Sequence, residues 1–225
     1  MKASELVMHL RKKGSEANRR GMKKFGINVS NATGVSVTDL RRLARNIGAN
    51  QSLSLELWET GLHEARILAA IIGDPRKVTV RQMEEWVSGF DSWDVCDQVC
   101  GNLFDKTPFA YDKAFEWSRR GEEYVKRAGF VLMAGLSVHD KAAGRSRFEK
   151  FFPVIVREAK DGRNYVKKAV NWALRQIGKR SLHLNRQAIA ICRQIAAIDS
   201  PSAKWIASNA LRELESEAVQ KRLLA

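Results

Sequence analysis

The sequence predicts an all-α fold of stacked helical repeats, and three observations predict it. Apolar residues recur with a helical period along nearly all 225 residues. Short breaks rich in helix-start and helix-stop residues separate the periodic stretches. A five-residue pattern also returns about 40 residues after its first appearance, the period of two-helix HEAT-type repeats.

The periodicity places helices at about 3–13, 15–24, 37–48, 53–72 (interrupted near Gly61), 79–89, 92–104, 108–120, 122–140, 147–160, 162–179, 184–198 and 201–223. The breaks carry recognisable punctuation. Asp74-Pro75 follows one helix, Thr107-Pro108 starts another, and Ser200-Pro201 puts proline at a first helical position. Val35-Ser36-Val37-Thr38 is the single candidate strand, and it is too short to matter. The repeat echo pairs Tyr124-Val125-Lys126-Arg127-Ala128 with Tyr165-Val166-Lys167-Lys168-Ala169; Arg66-Ile67-Leu68-Ala69-Ala70 resembles both more loosely. A hydrophobic content of 44% supports one continuous core, so residues 1–225 are expected to form one helical-repeat domain.

The formal net charge is +14, which attracts polyanions. It is distributed in blocks. Residues 1–50 carry 11 bases against 3 acids, residues 51–117 carry 6 against 12, and residues 118–193 carry 18 against 6. Two basic arms around an acidic middle suit a protein that grips a phosphate backbone from two sides. Charge used only for solubility would not alternate in blocks this large.

Several function classes are set aside. Cys96, Cys100 and Cys192 make an odd count without framework spacing, which reads as reduced thiols filling a core. His9, His63, His139 and His183 make no zinc-type spacing with them, so no metal is expected. The N-terminus lacks a signal-peptide stretch and no apolar run spans a bilayer. A soluble, cytoplasmic chain without membrane association is therefore expected. No nucleophile–base constellation or phosphate-binding glycine loop can be read, and no cofactor is implied.

Three helices depart from a simple core-and-surface pattern. Along 162–179, Val166, Ala169, Val170, Ala173, Leu174 and Ile177 form the core stripe, while Lys168, Trp172, Arg175 and Lys179 lie opposite. A tryptophan pointing away from the core among three cations can press on a nucleotide while the cations hold phosphates. It can also pack on a neighbouring helix. Along 92–104, Val95, Cys96, Val99, Cys100, Leu103 and Phe104 form the buried face, with Trp93, Asp97 and Gly101 in a row at its border. Asp97 thus has an aromatic one turn before it and no side chain one turn after. Asp94 is more exposed by phase and reads as a capping or pairing residue. Along 122–137, Arg127 precedes a run of nine residues without a polar side chain. A buried arginine needs a partner, and Asp97 or a DNA phosphate could serve.

Ser92-Trp93-Asp94-Val95-Cys96-Asp97 resembles the W-D-x-x-D segment of the AlkD-like DNA alkylation repair family. Lys126-Arg127-Ala128 resembles that family's R-A segment, and the stretch from Tyr165 to Arg175 resembles its K-A-x-x-W-x-L-R helix. The likeness runs from about Met22 to Arg180, in the family's order. It implies a HEAT-like stack with a concave basic face. It also implies a monofunctional DNA glycosylase that releases cationic N-alkylated purines, such as 3-methyladenine and 7-methylguanine, without a deep base-flipping pocket. By the same resemblance Trp93 and Trp172 flank the backbone of the lesioned nucleotide, Asp97 faces its sugar, and Arg127 contacts the adjacent phosphate. Lys126, Lys168, Arg175 and Lys179 are expected to add DNA contacts. The expected partner is alkylated or distorted double-stranded DNA, bound by a monomer. Active relatives are expected to carry a tyrosine near Gly21-Met22-Lys23, and none stands here. The same fold also has branches that bind unusual DNA shapes without excising a base, and that is the alternative reading.

Overall fold

Polar caps set where many of the helices begin in the computed structural model, which describes residues 2–224. Ser15, Ser36, Asn50, Thr79, Ser181 and Ser200 each accept a hydrogen bond from a backbone N–H in the first turn that follows. All the regular structure among the described residues is helical. Val35–Thr38 forms no strand, because Ser36 caps a helix that starts at Val37.

The chain divides into two compact units, Met1–Pro108 and Phe109–Ala225. The first holds α1 (Ala3–Lys12), α2 (Glu16–Lys24), α3 (Val37–Ile47), α4 (Gln51–Glu59), α5 (His63–Ile72), α6 (Val80–Ser88), α7 (Trp93–Asn102) and a 3-10 turn, Phe104–Lys106. The break expected near Gly61 separates α4 from α5. Two helices of this unit run in the same direction. The start of α5 meets the start of α7 through His63 and Asp94, and Gly73 beyond the end of α5 lies against Leu103 beyond the end of α7. Trp58 and Trp86 stack in its core with centroids 4.2 Å apart, and the Arg66 guanidinium covers Trp58.

The second unit holds α8 (Ala110–Trp117), α9 (Glu123–His139), α10 (Arg145–Glu149), α11 (Phe152–Glu158), α12 (Asn164–Gly178), α13 (Leu182–Ala196), α14 (Pro201–Leu214) and α15 (Glu217–Leu224). Here α9, α12 and α14 are parallel. Arg127 near the start of α9 bonds Tyr165 at the start of α12, and Arg180 beyond the end of α12 bonds Ser137 near the end of α9. Asn171 and Glu213 continue the same sense between α12 and α14. The sequence echo is thus a physical repeat, with the rings of Tyr124 and Tyr165 side by side at 5.7 Å.

Two expected helices are each broken in two. The stretch 147–160 splits because Pro153 stands in the first turn of α11, where it cannot donate to the carbonyl of Glu149. The stretch 201–223 splits because side chains take over the carbonyls at its break. Asn185 and Gln220 bond Leu214 O, and the Ser216 hydroxyl bonds Glu213 O.

α9 is buried along most of its length, from Val125 to Ser137. At Gly129 it packs tightly against α8. A Cβ at that position would lie 2.5 Å from Ser118 N and 3.0 Å from Ala114 O. The three cysteines are buried free thiols. No described helix is long and apolar enough to cross a membrane.

Candidate nucleic-acid interface

In the first unit the candidate residues stand on α7. Its buried face is the predicted one: Val95, Cys96, Val99 and Cys100 are fully covered. That fixes Trp93, Asp97 and Gly101 in a row along the border of the helix, where all three are partly exposed. The indole of Trp93 is anchored, since its Nε1–H donates to Phe25 O at 3.0 Å. The ring is therefore presented in one orientation. Asp97 follows one turn later. One turn beyond it, a Cβ on Gly101 would meet nothing within 4 Å, so the space at that position is open.

Asp94 has a different role from its neighbour. It is 15% exposed, less than its helical phase predicts, because His63 of α5 covers it with Nε2 2.9 Å from Oδ2. The buried Ser92 hydroxyl donates to Asp94 Oδ1 at 2.7 Å and accepts from Asn28 N. Glu64 accepts from the backbone N–H groups of Thr33 and Gly34. These bonds fasten the connection between α2 and α3 onto α5 and α7. Burial works against the charge on His63, but the hydrogen bond and charge of Asp94, with Glu64 and Asp91 nearby, outweigh it and raise its pKa. Burial likewise opposes the Asp94 carboxylate, and His63, Ser92 and the Val95 N–H overcome it and lower its pKa.

The raised histidine stabilises the fold below its unfolded pKa of about 6.5, and that contribution fades as pH climbs through the folded value. The depressed aspartate stabilises above about pH 4 and fades as pH drops through its folded value. The pair therefore contributes most between roughly pH 4 and 6.5. Thermal melts from pH 5.5 to 9 should show a declining wild-type midpoint and a flatter profile for His63→Gln. Parallel profiles would remove His63 from the pH response.

In the second unit Arg127, Trp172 and their neighbours stand on α9 and α12, which pack together. Arg127 is only 5% exposed, and its Nη1 donates to Tyr165 O at 2.6 Å. The core stripe of α12 is as predicted: Val166, Ala169, Val170, Ala173, Leu174 and Ile177 are all buried. Lys168 is exposed on the other side, and Trp172 is partly exposed one turn on.

The four cations assigned to DNA do not have one environment. Lys168 alone is fully at the surface. Lys126 sits between Glu158 at 2.6 Å and Asp161 at 3.4 Å, in a chain completed by Arg157 and Arg163. Arg175 and Lys179 both hold Glu213 of α14. Burial of Glu213 disfavours its charge, but bonds from Lys179 and Arg175 overcome it and lower its pKa. Each cluster keeps one positive charge in excess, so both attract an anion while Lys126, Arg175 and Lys179 are held in place. Direct contact with phosphate falls first to Lys168.

Sequence reasoning missed two exposed aromatics. Phe25, at the end of α2, is 74% exposed beside Lys23 and Lys24. Trp205 on α14 is 38% exposed, with Lys167 Nζ 5.4 Å from its ring centroid. Phase signalled Trp205, because Ala203, Ile206, Ala207 and Ala210 define a core stripe that excludes it. Among the described residues no three His, Cys, Asp or Glu side chains are grouped to hold a metal ion.

A family described as DNA alkylation repair enzyme matches residues 6–214. The fold is similar to that of a solved protein from "a new family of proteins related to the HEAT-like repeat DNA glycosylases with affinity for branched DNA structures". The TM-score is 0.81 at 21% identity, over 99% of this chain and 96% of that one. The fold is thus that of a HEAT-like repeat protein. A designed armadillo repeat protein in complex with a peptide matches at a TM-score of 0.33 and 12% identity, over 83% of this chain and 79% of that one. Among curated proteins, none matches.

Proposed function

Because the chain belongs to the DNA alkylation repair enzyme family, we propose that it is a DNA glycosylase for cationic N-alkylated purines in duplex DNA. The observation that carries this reading is the border row of α7: an anchored indole, a half-buried carboxylate, and open space one turn further on.

An N3- or N7-alkylated purine carries a positive charge and is already a good leaving group. The C1′–N bond breaks with its electron pair moving to the purine, which becomes neutral. Positive charge then develops on the sugar. The Asp97 carboxylate stabilises that charge, and a water adds to C1′ as its proton passes to the carboxylate or to solvent. Free alkylpurine and an abasic site result. No acid needs to protonate the base, and no deep pocket is needed to hold it. Trp93, in the first unit, and Trp172, in the second, each offer an aromatic face to DNA in this reading. Lys168 on the exposed face of α12 makes the direct phosphate contact by charge-assisted bonds, and Arg127, buried and bonded to Tyr165 O, adds its charge from beneath. Lys126, Arg175 and Lys179 contribute through the residual charge of their clusters.

Incubation with duplex DNA containing 7-methylguanine and 3-methyladenine should release the methylated bases and leave normal bases in place, as read by chromatography. A non-catalytic reading has one observation in its favour: the chain shares its fold with a protein described as having affinity for branched DNA. Salt-sensitive DNA binding with no base released would select that reading.

A further inference from the structure

A cleft of about 620 Å³ lies within the second unit, beyond the ends of the parallel helices α9 and α12. Five cations line it: Lys141, Arg145, Lys179, Arg180 and Arg222. No carboxylate is among the lining residues. Of the acids around it, one is bonded outside the cleft and one pairs with a lining cation, Lys179. Asp140 accepts from the Tyr111 hydroxyl and the Ala143 N–H, and Glu213 holds Arg175 and Lys179.

The cleft is organised around Arg180. Its guanidinium lies 4.2 Å from the centroid of Phe148 and donates to four backbone carbonyls, those of Ser137, Asp140, Lys141 and Ala143. These carbonyls satisfy its hydrogen-bonding groups without cancelling its charge. The same bonds fix the loop that carries Lys141 and leads to Arg145. Arg222, in the last turn of α15, reaches back to Lys179 O. Ser181, which caps the 15-residue helix α13, lines the cleft with Leu184 of its first turn. The positive end of that helix dipole therefore adds to the five cations.

We propose that this cleft binds phosphodiester groups of DNA, as an extension of the interface beyond Trp172. The proposal rests on the reading of the chain as a DNA-binding protein. Lys179 belongs both to the cleft and to the outer row of α12 that contains Trp172. Seven residues of α-helix separate them, roughly 10 Å at 1.5 Å per residue. Phosphates of one strand advance about 3.4 Å per base pair along a duplex. A strand that passes Trp172 and follows α12 thus reaches the cleft within about three nucleotides. Its volume of about 620 Å³ accommodates more than a single phosphate, as a continuous backbone requires.

The test is a fluorescence anisotropy titration of the full chain on a 20-base-pair duplex across a series of NaCl concentrations. It compares the wild type with Lys141→Gln/Arg145→Gln/Arg222→Gln. All three side chains are at the surface, and their removal leaves the Arg180 bonds in place. The expected result is a log–log salt slope shallower by about 2 to 3, near 0.9 for each phosphate no longer neutralised, with circular dichroism unchanged. The charge-preserving Lys141→Arg/Arg145→Lys/Arg222→Lys should keep the wild-type slope. An unchanged slope in the folded triple variant overturns the cleft and leaves DNA binding by the rest of the chain standing. If the wild type binds inorganic phosphate through these residues while the DNA slope does not change, the site takes a free anion and the DNA assignment fails. Absence of salt-dependent DNA binding by the wild type removes both this inference and the reading beneath it.

Discussion

Asp97→Asn is expected to reduce release of methylated purines by at least about 100-fold, the scale seen when one electrostatic stabiliser of a transition state is removed. The substitution keeps size and shape but deletes the negative charge. What disappears is the interaction with positive charge on the sugar, which develops only as the glycosidic bond breaks. Ground-state contacts with the duplex do not depend on that charge, so DNA affinity should hold. Single-turnover release and equilibrium binding, measured on the same methylated duplex, separate the two effects. A variant that releases base at the wild-type rate would take Asp97 out of the chemistry. Loss of binding in step with loss of release would make it a contact residue.

Gly129→Ala is expected to cost about 3 kcal/mol of stability, the upper end for overpacking in a dense core. For a chain of this size that lowers the thermal midpoint by about 6 to 12 °C. The added methyl would press on Ser118 N and Ala114 O, which are main-chain atoms of and just beyond α8 and cannot rotate away. The whole of α8 would have to withdraw from α9. The same change at Gly101 should have the opposite sign. It lies within α7 with open space before it, so alanine should add about 0.5 to 1 kcal/mol through helix propensity. Calorimetry on the two variants checks the pair. Equal midpoints would mean that α8 and α9 can separate without cost.

The core faces of α7 and α12 were legible in the sequence because helical phase is a local property. Valine and alanine at spacings of three and four can meet a core on one side only, and Trp93, Asp97, Gly101 and Trp172 fall where that phase puts them. The repeat was legible for the same reason, since Tyr124 and Tyr165 occupy one position in successive units. The partners were not legible. Glu213 lies more than thirty residues from both cations it holds, and nothing near Arg175 or Lys179 announces it. His63 lies as far from Asp94, so its shielding of that carboxylate had no local signature. Helix ends behaved alike. Pro153 could be seen, but the apolar pattern runs through it without interruption. The break after Leu214 depends on Asn185, which arrives from another helix. Phe25 is exposed because α2 buries nothing around it, and that is a property of the packing.

α2 carries Arg19, Arg20, Lys23 and Lys24, yet contributes no buried residue. Its ties to the rest of the first unit include polar bonds from Ser15 N to Thr33 O, Asn18 to Gly34 O, Arg19 to Val29 O and Trp93 to Phe25 O. Such a helix can lift away without exposing the core. Its opening is expected to cost less than global unfolding. Its amide hydrogens should therefore exchange ahead of those in α5 and α7. An arm of this kind can close on and let go of a polyanion while the rest of the first unit stays folded. Opening it would also break the bond between the Trp93 indole and Phe25 O, one turn before Asp97.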